Sequence, residues 1–264
     1  METTVLSPGE TLEYEEFKRT RREAEIAVTL SKLTVDASRR ETDKFVLKRI
    51  CESAKKLRAY GVLVSPVHVN DARRFLAGTP TNVICIVGGT GESLPAIKKA
   101  EAKKAVKQGA REIRLVLCYS ALRGGKIQYL KKEIKKVRKA VKKCAVTVSL
   151  EDHTFSEDDL MKGVRAACDA GAQGVCVCGE IPLVMRTVQT GAGKLRTEVS
   201  GVENAEQLRA LFKVGALRAT THYPEELCVE LHRAAEDSLS LYPSAALKEL
   251  SKNASEPQSE AEQS

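Results

Sequence analysis

Short apolar runs alternate with amphipathic segments along this chain from about residue 25 to residue 240. The amphipathic segments repeat apolar residues every three or four positions, as surface helices do, whereas the apolar runs have the length of buried strands. This alternation favours parallel strands joined by crossover helices, and its repeat favours a closed TIM (β/α)8 barrel over an open sheet. The predicted strands are Ile26–Leu30, Gly61–Val64, Val83–Val87, Ile113–Leu117, Ala145–Leu150, Val175–Cys178, Leu195–Val199 and Ala216–Thr220.

Glycines mark the ends of several predicted helices. Gly109, Gly171 and Gly215 each stand just before an apolar run, where glycine can adopt the left-handed conformation that closes a helix. A Gly-x-Gly-x-x-Gly motif does not open a first helix, which weakens a dinucleotide-binding alternative. The run Gly88–Gly91 does follow a strand, but we interpret it as a flexible turn in preference to a phosphate loop.

Two segments lie outside the predicted barrel, which spans residues 25–242. Residues 1–24 are rich in charge, and we expect a helix over Tyr14–Ala24. Residues 243–264 are polar and rich in serine and glutamate, a composition typical of a disordered tail.

The composition fits one large soluble domain. The chain is 42% hydrophobic and 30% charged, and no run of about 18 apolar residues suggests a membrane span. Its start is polar and acidic, unlike a secretion signal. Eight cysteines scattered over predicted strands and helices fit reduced thiols and a cytoplasmic location. We find no metal-ligand spacing, and we predict neither a metal nor another cofactor.

Several motifs occur together in an order that resembles one enzyme family. They include Lys98–Val106, Gly109–Val116, Ala121–Gly125 and Val146–Glu151, followed by Ser200-Gly201. Over about residues 25–235 the chain resembles the deoxyribose-phosphate aldolases. That resemblance implies a TIM barrel that cleaves and forms 2-deoxyribose 5-phosphate through a lysine Schiff base, without a metal.

The resemblance also implies four active-site positions, and each holds a different residue here. Cys176 stands in the place of the Schiff-base lysine on the sixth strand, and Glu198 in the place of the second lysine that lowers its pKa. Arg114 replaces the aspartate of the proton relay. Ala27 replaces an aspartate near the end of the first strand.

These replacements remove the chemistry. A thiol cannot form an iminium, and a carboxylate at Glu198 would raise rather than lower the pKa of a nearby lysine. Arg114 stays protonated and is a poor proton shuttle. Arg114 and Glu198 share inward strand parity, so we expect them to pair across the lumen.

The phosphate site is predicted to survive only in part. Ser200 and Gly201 match the family's phosphate loop, but Val202 replaces a glycine there. Bulky His222 and Tyr223 replace a small loop after the eighth strand, and we expect them to fill the pocket.

The net charge of +8 is concentrated on two predicted helices. Residues 126–143 hold nine basic residues against Glu133, and the preceding helix adds five lysines from Lys98 to Lys107. This surface is either a solubilising face or a docking site for an anionic macromolecule, above all an acidic protein surface or filament. Nucleic acid would bind only non-specifically, because few aromatics interleave the lysines. The candidate partner-binding residues are Lys103, Lys107, Lys132, Lys135, Lys136 and Lys139.

The leading functional hypothesis is an aldolase scaffold without aldolase chemistry, a pseudoenzyme that binds a partner. One alternative is a residual aldolase or another lyase acting on sugar phosphates through a relocated lysine. The nearest candidate, Lys194, lies toward the wrong end of the barrel. A second alternative is a sensor of a phosphorylated metabolite that uses Ser200 and Gly201.

Overall fold

Eight parallel strands close into a barrel whose outside is covered by helices. The structure, a computed structural model, describes residues 8–152 and 154–240, with side chains for residues 16–152 and 154–233. Each strand pairs with the next along the chain, and the first pairs with the last, which confirms the predicted TIM barrel. The strands are β1 (Leu33–Ala37), β2 (Gly61–Val64), β3 (Asn82–Val87), β4 (Glu112–Val116), β5 (Ala145–Leu150), β6 (Gly174–Cys178), β7 (Arg196–Ser200) and β8 (Arg218–Thr221).

The helices follow the strands as the sequence pattern predicts. They are α1 (Pro8–Leu30), α2 (Lys44–Lys56), α3 (Val69–Phe75), α4 (Pro95–Gln108), α5 (Tyr119–Arg123), α6 (Ile127–Ala140), α7 (Glu157–Ala170), α8 (Ile181–Gly191), α9 (Ala205–Lys213) and α10 (Pro224–Ser240). A 3₁₀ turn spans Pro66–His68. None of the described helices is long and apolar enough to cross a membrane.

One predicted strand is wrong. The run Ile26–Leu30 forms the end of α1, where Ile26 and Leu30 are buried four residues apart while Val28 between them is 56% exposed. That spacing is helical, since a strand would bury alternate residues. The first strand is β1 instead, and residue 25, where the barrel was predicted to begin, lies inside α1.

The predictions for the two chain ends have different outcomes. The N-terminal helix is confirmed, and it extends beyond residues 14–24 in both directions. The segment predicted as a disordered tail, residues 243–264, lies outside the described residues. The other seven predicted strands all overlap observed ones.

The Gly88–Gly91 turn is held by close packing. Gly91 has a φ of +92°, and a Cβ there would lie 2.2 Å from the carbonyl oxygen of Leu117, so only glycine fits. The Gly88 N–H donates to a carboxylate oxygen of Glu101 at 2.8 Å. Because this carboxylate takes the place an anion would occupy, the turn interpretation is favoured over the phosphate loop.

Lys98 is buried between α4 and α6 and does not belong to the basic surface predicted for it. Its side chain is fully buried and forms an ion pair with Glu133, which is also fully buried. The Lys98 ammonium also donates to the carbonyl oxygens of Gly91 at 2.7 Å and Val116 at 2.8 Å. Burial raises the pKa of Glu133, and the contact with Lys98 offsets this only in part. The pair therefore connects α4 and α6 to each other and to the carboxyl ends of β3 and β4.

Candidate functional site

Four charged side chains occupy the barrel lumen, and we call them the lumen network. Glu112 and Arg114 lie on β4, Glu198 on β7 and Arg218 on β8, and each is at most 5% exposed. Alternate residues of a strand face the same side, which directs both β4 residues inward. Glu198 and Arg218 are register partners on adjacent strands, whereas β4 lies across the barrel from β8.

The lumen network is a chain of alternating charges. Arg114 Nη2 donates to Glu198 Oε2 at 2.9 Å, which confirms the pairing expected from strand parity. Arg218 Nη2 contacts Glu198 Oε1 at 2.5 Å. Arg218 also donates to both oxygens of Glu112, at 2.9 and 3.1 Å. Each carboxylate is therefore held by at least one arginine, as buried charges require.

Neutral side chains complete the network. Thr147 donates its hydroxyl to Glu112 at 2.8 Å, and Tyr60 donates to the other oxygen of Glu112 at 3.0 Å. The Tyr60 ring also lies under the Arg218 guanidinium, 4.1 Å from its carbon, in a cation–π contact. Thr220 accepts from Arg114 at 3.1 Å. Polar groups that bond one another thus occupy the lumen, although the Nε atoms of Arg114 and Arg218 have no hydrogen-bond partner among the described residues.

Burial and the arginines compete to set the carboxyl pKa values. Burial raises the pKa of Glu112, but Arg218, Thr147 and Arg196 together outweigh it and hold this pKa below its usual range. Burial raises the pKa of Glu198, and Arg114 and Arg218 offset the increase only in part. Burial alone would lower the pKa of Arg114, but the charges around it raise that pKa above its usual range. Arg114 therefore cannot shuttle a proton.

Cys176 lies beside this network as an unreactive thiol. Its side chain is fully buried on β6, next to Arg114 and Glu151. Burial raises the pKa of the Cys176 thiol well above its usual value, and Arg114 counters this only in part. Since the thiolate is the nucleophilic form, burial and the raised pKa both disfavour reaction of Cys176.

Glu151 lies at the carboxyl end of the barrel, directly after β5 and near Cys176. It accepts a hydrogen bond from Ser149 at 2.8 Å and lies 3.7 Å from Arg114. The sequence reasoning overlooked Glu151 as a site residue, and it also overlooked Glu112 and Arg218. The signal was available for Arg218, which shares inward parity with Thr220 on β8.

The first strand requires a correction to the predicted site. Ala27 lies in α1 and is exposed, so its assignment to the first strand was wrong. β1 does hold an aspartate near its end, Asp36, which accepts hydrogen bonds from the backbone and hydroxyl of Ser38 at 2.8 and 2.7 Å. The Nε2 atom of His222 lies 3.6 Å from Asp36. One of the four inferred losses is thereby withdrawn.

The predicted phosphate remnant is only partly available to a ligand. Gly201 is exposed in a left-handed conformation, and Ser200 donates weakly to the carbonyl of Val177 at 3.4 Å. Val202 is buried, and its N–H donates to the carbonyl of Thr220 at 3.2 Å. Tyr223 is 45% exposed, and that His222 and Tyr223 fill the phosphate pocket stays a prediction.

The comparisons with known proteins agree with this geometry. No family model matches the chain. It is 31% identical over 185 residues to the deoxyribose-phosphate aldolase of Aciduliprofundum boonei, covering 65% of this chain and 82% of that protein. The enzyme of the same name from Enterococcus faecalis is 29% identical over 190 residues, covering 67% and 86%. This chain belongs to the deoxyribose-phosphate aldolase family.

Solved structures show the same fold. QR15, an aldolase, superposes with a TM-score of 0.74 at 21% identity, covering 81% of this chain and 99% of that one. The deoxyribose phosphate aldolase of Aeropyrum pernix superposes with a TM-score of 0.71 at 16% identity, covering 84% and 97%. At these identities the superpositions support the barrel architecture.

The distribution of lysine over the strands bears on the family's lysine-based chemistry. None of the eight described strands contains a lysine. Lys194 is exposed and precedes β7, at the amino end of the barrel, which confirms its predicted placement.

The outer surface of α4 and α6 carries the predicted positive charge. The two helices are neighbours, and their acidic residues turn inward, because Glu133 is buried and Glu101 bonds the backbone of Gly88. We call the exposed lysines of these helices the basic outer face: Lys99, Lys103, Lys104, Lys107, Lys132, Lys135, Lys136 and Lys139. None of these forms an ion pair with another described residue. Lys131, by contrast, pairs with Asp169 at 2.5 Å.

Breaking the lumen network should destabilise the barrel strongly. Arg114→Met leaves Glu198 buried with one arginine fewer, and we expect a loss of about 3–5 kcal/mol in the free energy of unfolding. The control is Arg186→Met, which breaks a surface pair with Glu157 and should cost at most about 1 kcal/mol. Urea unfolding measures the free energy of unfolding of both variants. Equal losses would show that the lumen contacts stabilise the protein no more than a surface ion pair does.

Proposed function

We propose that this chain is a pseudoenzyme of the deoxyribose-phosphate aldolase family, which acts by binding an anionic protein partner through the basic outer face. The observation that carries the first half is the absence of lysine from all eight described strands, combined with the buried thiol at Cys176. The second half rests on the eight exposed lysines of the basic outer face, which form no ion pair with another described residue.

The family's chemistry requires an amine on the sixth strand. In this proposal Cys176 takes that position, where a lysine would form the Schiff base. Imine formation needs a neutral amine. A free lysine has a pKa of about 10.4, so its surroundings must first lower that pKa. A protonated thiol supplies neither the imine nor the electron sink that cleaves the carbon–carbon bond.

The residues that would assist a lysine are engaged elsewhere. Glu198 replaces the activating lysine in this proposal, and its carboxylate is bound to Arg114 and Arg218. Arg114 replaces the relay aspartate and is fully buried. A lysine restored at position 176 would lie between Arg114, which would lower its pKa, and Glu151, which would raise it.

The mouth of the barrel, at the carboxyl ends of its strands, is also poorly suited to a phosphate ester. Glu151 and the exposed Glu180 place negative charge at the carboxyl ends of β5 and β6. The Val202 N–H, which would need to face an incoming phosphate, is committed to Thr220. Like charges at the entrance repel a dianionic substrate.

The basic outer face offers the alternative role. Its eight lysines lie on two adjacent helices, and the two acidic residues of those helices point away from it. An acidic protein surface or filament matches a broad field of point charges. Tyr129 is the one aromatic residue of α6, which leaves single-stranded nucleic acid without a stacking platform. We place this binding in the cytosol, where the chain's free thiols stay reduced.

Catalytic silence is tested with the purified protein and 2-deoxyribose 5-phosphate. We expect no cleavage above background and no adduct after borohydride reduction, because only an imine leaves a permanent adduct. Cys176→Lys alone should give no efficient turnover, since Glu151 and the altered phosphate loop remain. An adduct on the unmodified chain, mapped by mass spectrometry to a lysine such as Lys126 or Lys194, would establish a residual lyase instead.

Partner binding is tested by capture of proteins from cytosol on the immobilised chain. Reversal of Lys132, Lys135, Lys136 and Lys139 to glutamate should abolish capture, and rising salt should weaken it steeply because the Debye length is about 8 Å at physiological salt. The matched control reverses Lys44, Lys48, Arg49 and Lys56 on α2, an equal charge change elsewhere. Capture that ignores both salt and the α6 reversals would make the basic outer face merely a solvated surface.

A further inference from the structure

A cavity of about 510 Å³ opens at the amino-terminal end of the barrel, opposite the mouth. It lies between the end of α3, the starts of β3 and β4, the end of α4 and the segment after α6. We call it the basal pocket. Its volume falls within the range of pockets that hold small molecules.

The basal pocket has a strongly positive lining. Arg73, Lys107, Arg111 and Lys143 line it, and none of its lining residues is acidic. None of the four cations forms an ion pair with another described residue. Their charges are therefore uncompensated around one cavity.

The fold holds two of these cations against the pocket wall. Gly109 ends α4 with a φ of +116°, and a Cβ there would lie 2.3 Å from Cδ of Arg73. The Arg73 side chain thus lies directly across the glycine backbone. The Arg111 N–H donates to the carbonyl oxygen of Val83, another lining residue, at 2.8 Å, which fixes the Arg111 backbone at the pocket wall.

A buried hydroxyl in the same lining lacks a partner. Thr81 is 7% exposed, and its Oγ1 has no hydrogen-bond partner among the described residues. A buried hydroxyl without a partner carries a desolvation penalty, which a bound molecule or an ordered water would remove. Thr81 lies on the chain that enters β3, beside the turn formed by Gly78 and Thr79.

Helix dipoles alone do not account for this arrangement. Cations at the carboxyl ends of helices are favourable, and α3 and α4 end with basic residues. Basic residues also end α2, α6 and α9, whereas α7 and α8 have none in their last turns. However, Arg111 and Lys143 lie outside the helices. The concentration around one cavity and the unpartnered Thr81 hydroxyl both require a further reason.

We propose that the basal pocket binds a small ligand carrying two or more phosphate groups. Four cations exceed what one carboxylate neutralises, whereas a di- or triphosphate supplies several charges and many acceptor oxygens in a small volume. Arginine forks and lysine ammonium groups are the common partners of phosphate oxygens. This site is separate from the mouth and does not depend on the proposed partner binding.

The test is isothermal titration of the full chain with inorganic triphosphate, ATP and orthophosphate at physiological salt. We expect saturable binding of triphosphate and ATP at one site, much tighter than that of orthophosphate. Arg111→Gln combined with Lys143→Gln should weaken triphosphate binding by about tenfold or more. Tighter binding of ATP than of triphosphate would identify a nucleotide as the ligand. Equal binding of ATP and triphosphate would identify an inorganic oligophosphate as the ligand, and both results support the proposal.

The control removes the same charge outside the cavity. Lys132→Gln combined with Lys136→Gln should leave triphosphate affinity unchanged, and neither position is shared with the basal pocket. Thr81→Val should weaken triphosphate binding without lowering the melting temperature of the free protein, because it removes an unpaired hydroxyl. Equal losses in the two double variants, or no saturable binding, would overturn the proposal. Partner capture that persists in the α6 reversals would contradict the proposed partner binding, but it would leave the proposed ligand site in the basal pocket untouched.

Discussion

The buried ion network in the lumen is the constraint on which the rest of this structure depends. Four ionised side chains cannot be taken out of water unless each finds a counter-charge and its remaining hydrogen bonds. Glu112, Arg114, Glu198 and Arg218 supply one another's counter-charges across the barrel, and Thr147, Thr220 and Tyr60 add hydrogen bonds. Only the Nε atoms of Arg114 and Arg218 lack a hydrogen-bond partner among the described residues of this network. The lumen is therefore committed to internal contacts, and a substrate would have to break them to enter.

If the proposed loss of catalysis is correct, the same constraint explains how the family scaffold persists without its chemistry. The outward faces of the strands pack against helices through apolar residues and do not depend on what faces inward. Under the proposed function, inward positions exchange a catalytic set for a set of paired charges, provided that opposite charges arrive together. Arg114 and Glu198 form such a pair. The basic outer face on α4 and α6 is then the surface that we propose for binding a partner.

The sequence predicted the barrel and part of the site, and its failures have physical causes. Periodicity located seven strands, but the five-residue run Ile26–Leu30 was too short to separate a helix end from a strand. Strand parity correctly paired Arg114 with Glu198. Lys98 was assigned to the surface from its residue type, although it shares a helical face with buried Ala102 and Ala105 at spacings of four and three. The burial of Lys98 depends on its long-range partner Glu133, which no local pattern of α4 reveals.

Native-state alkylation of Cys176 tests the central claim most directly, because it reports whether the lumen is closed and its thiol inert. The folded protein is treated with iodoacetamide at pH 8, and labelling of each cysteine is followed by mass spectrometry. The account predicts that Cys176 stays unmodified until the chain is unfolded, since it is fully buried and its pKa is raised, while half-buried Cys168 reacts earlier. Labelling of Cys176 in the folded protein as fast as that of Cys168 would contradict a sealed lumen and reopen the case for chemistry there.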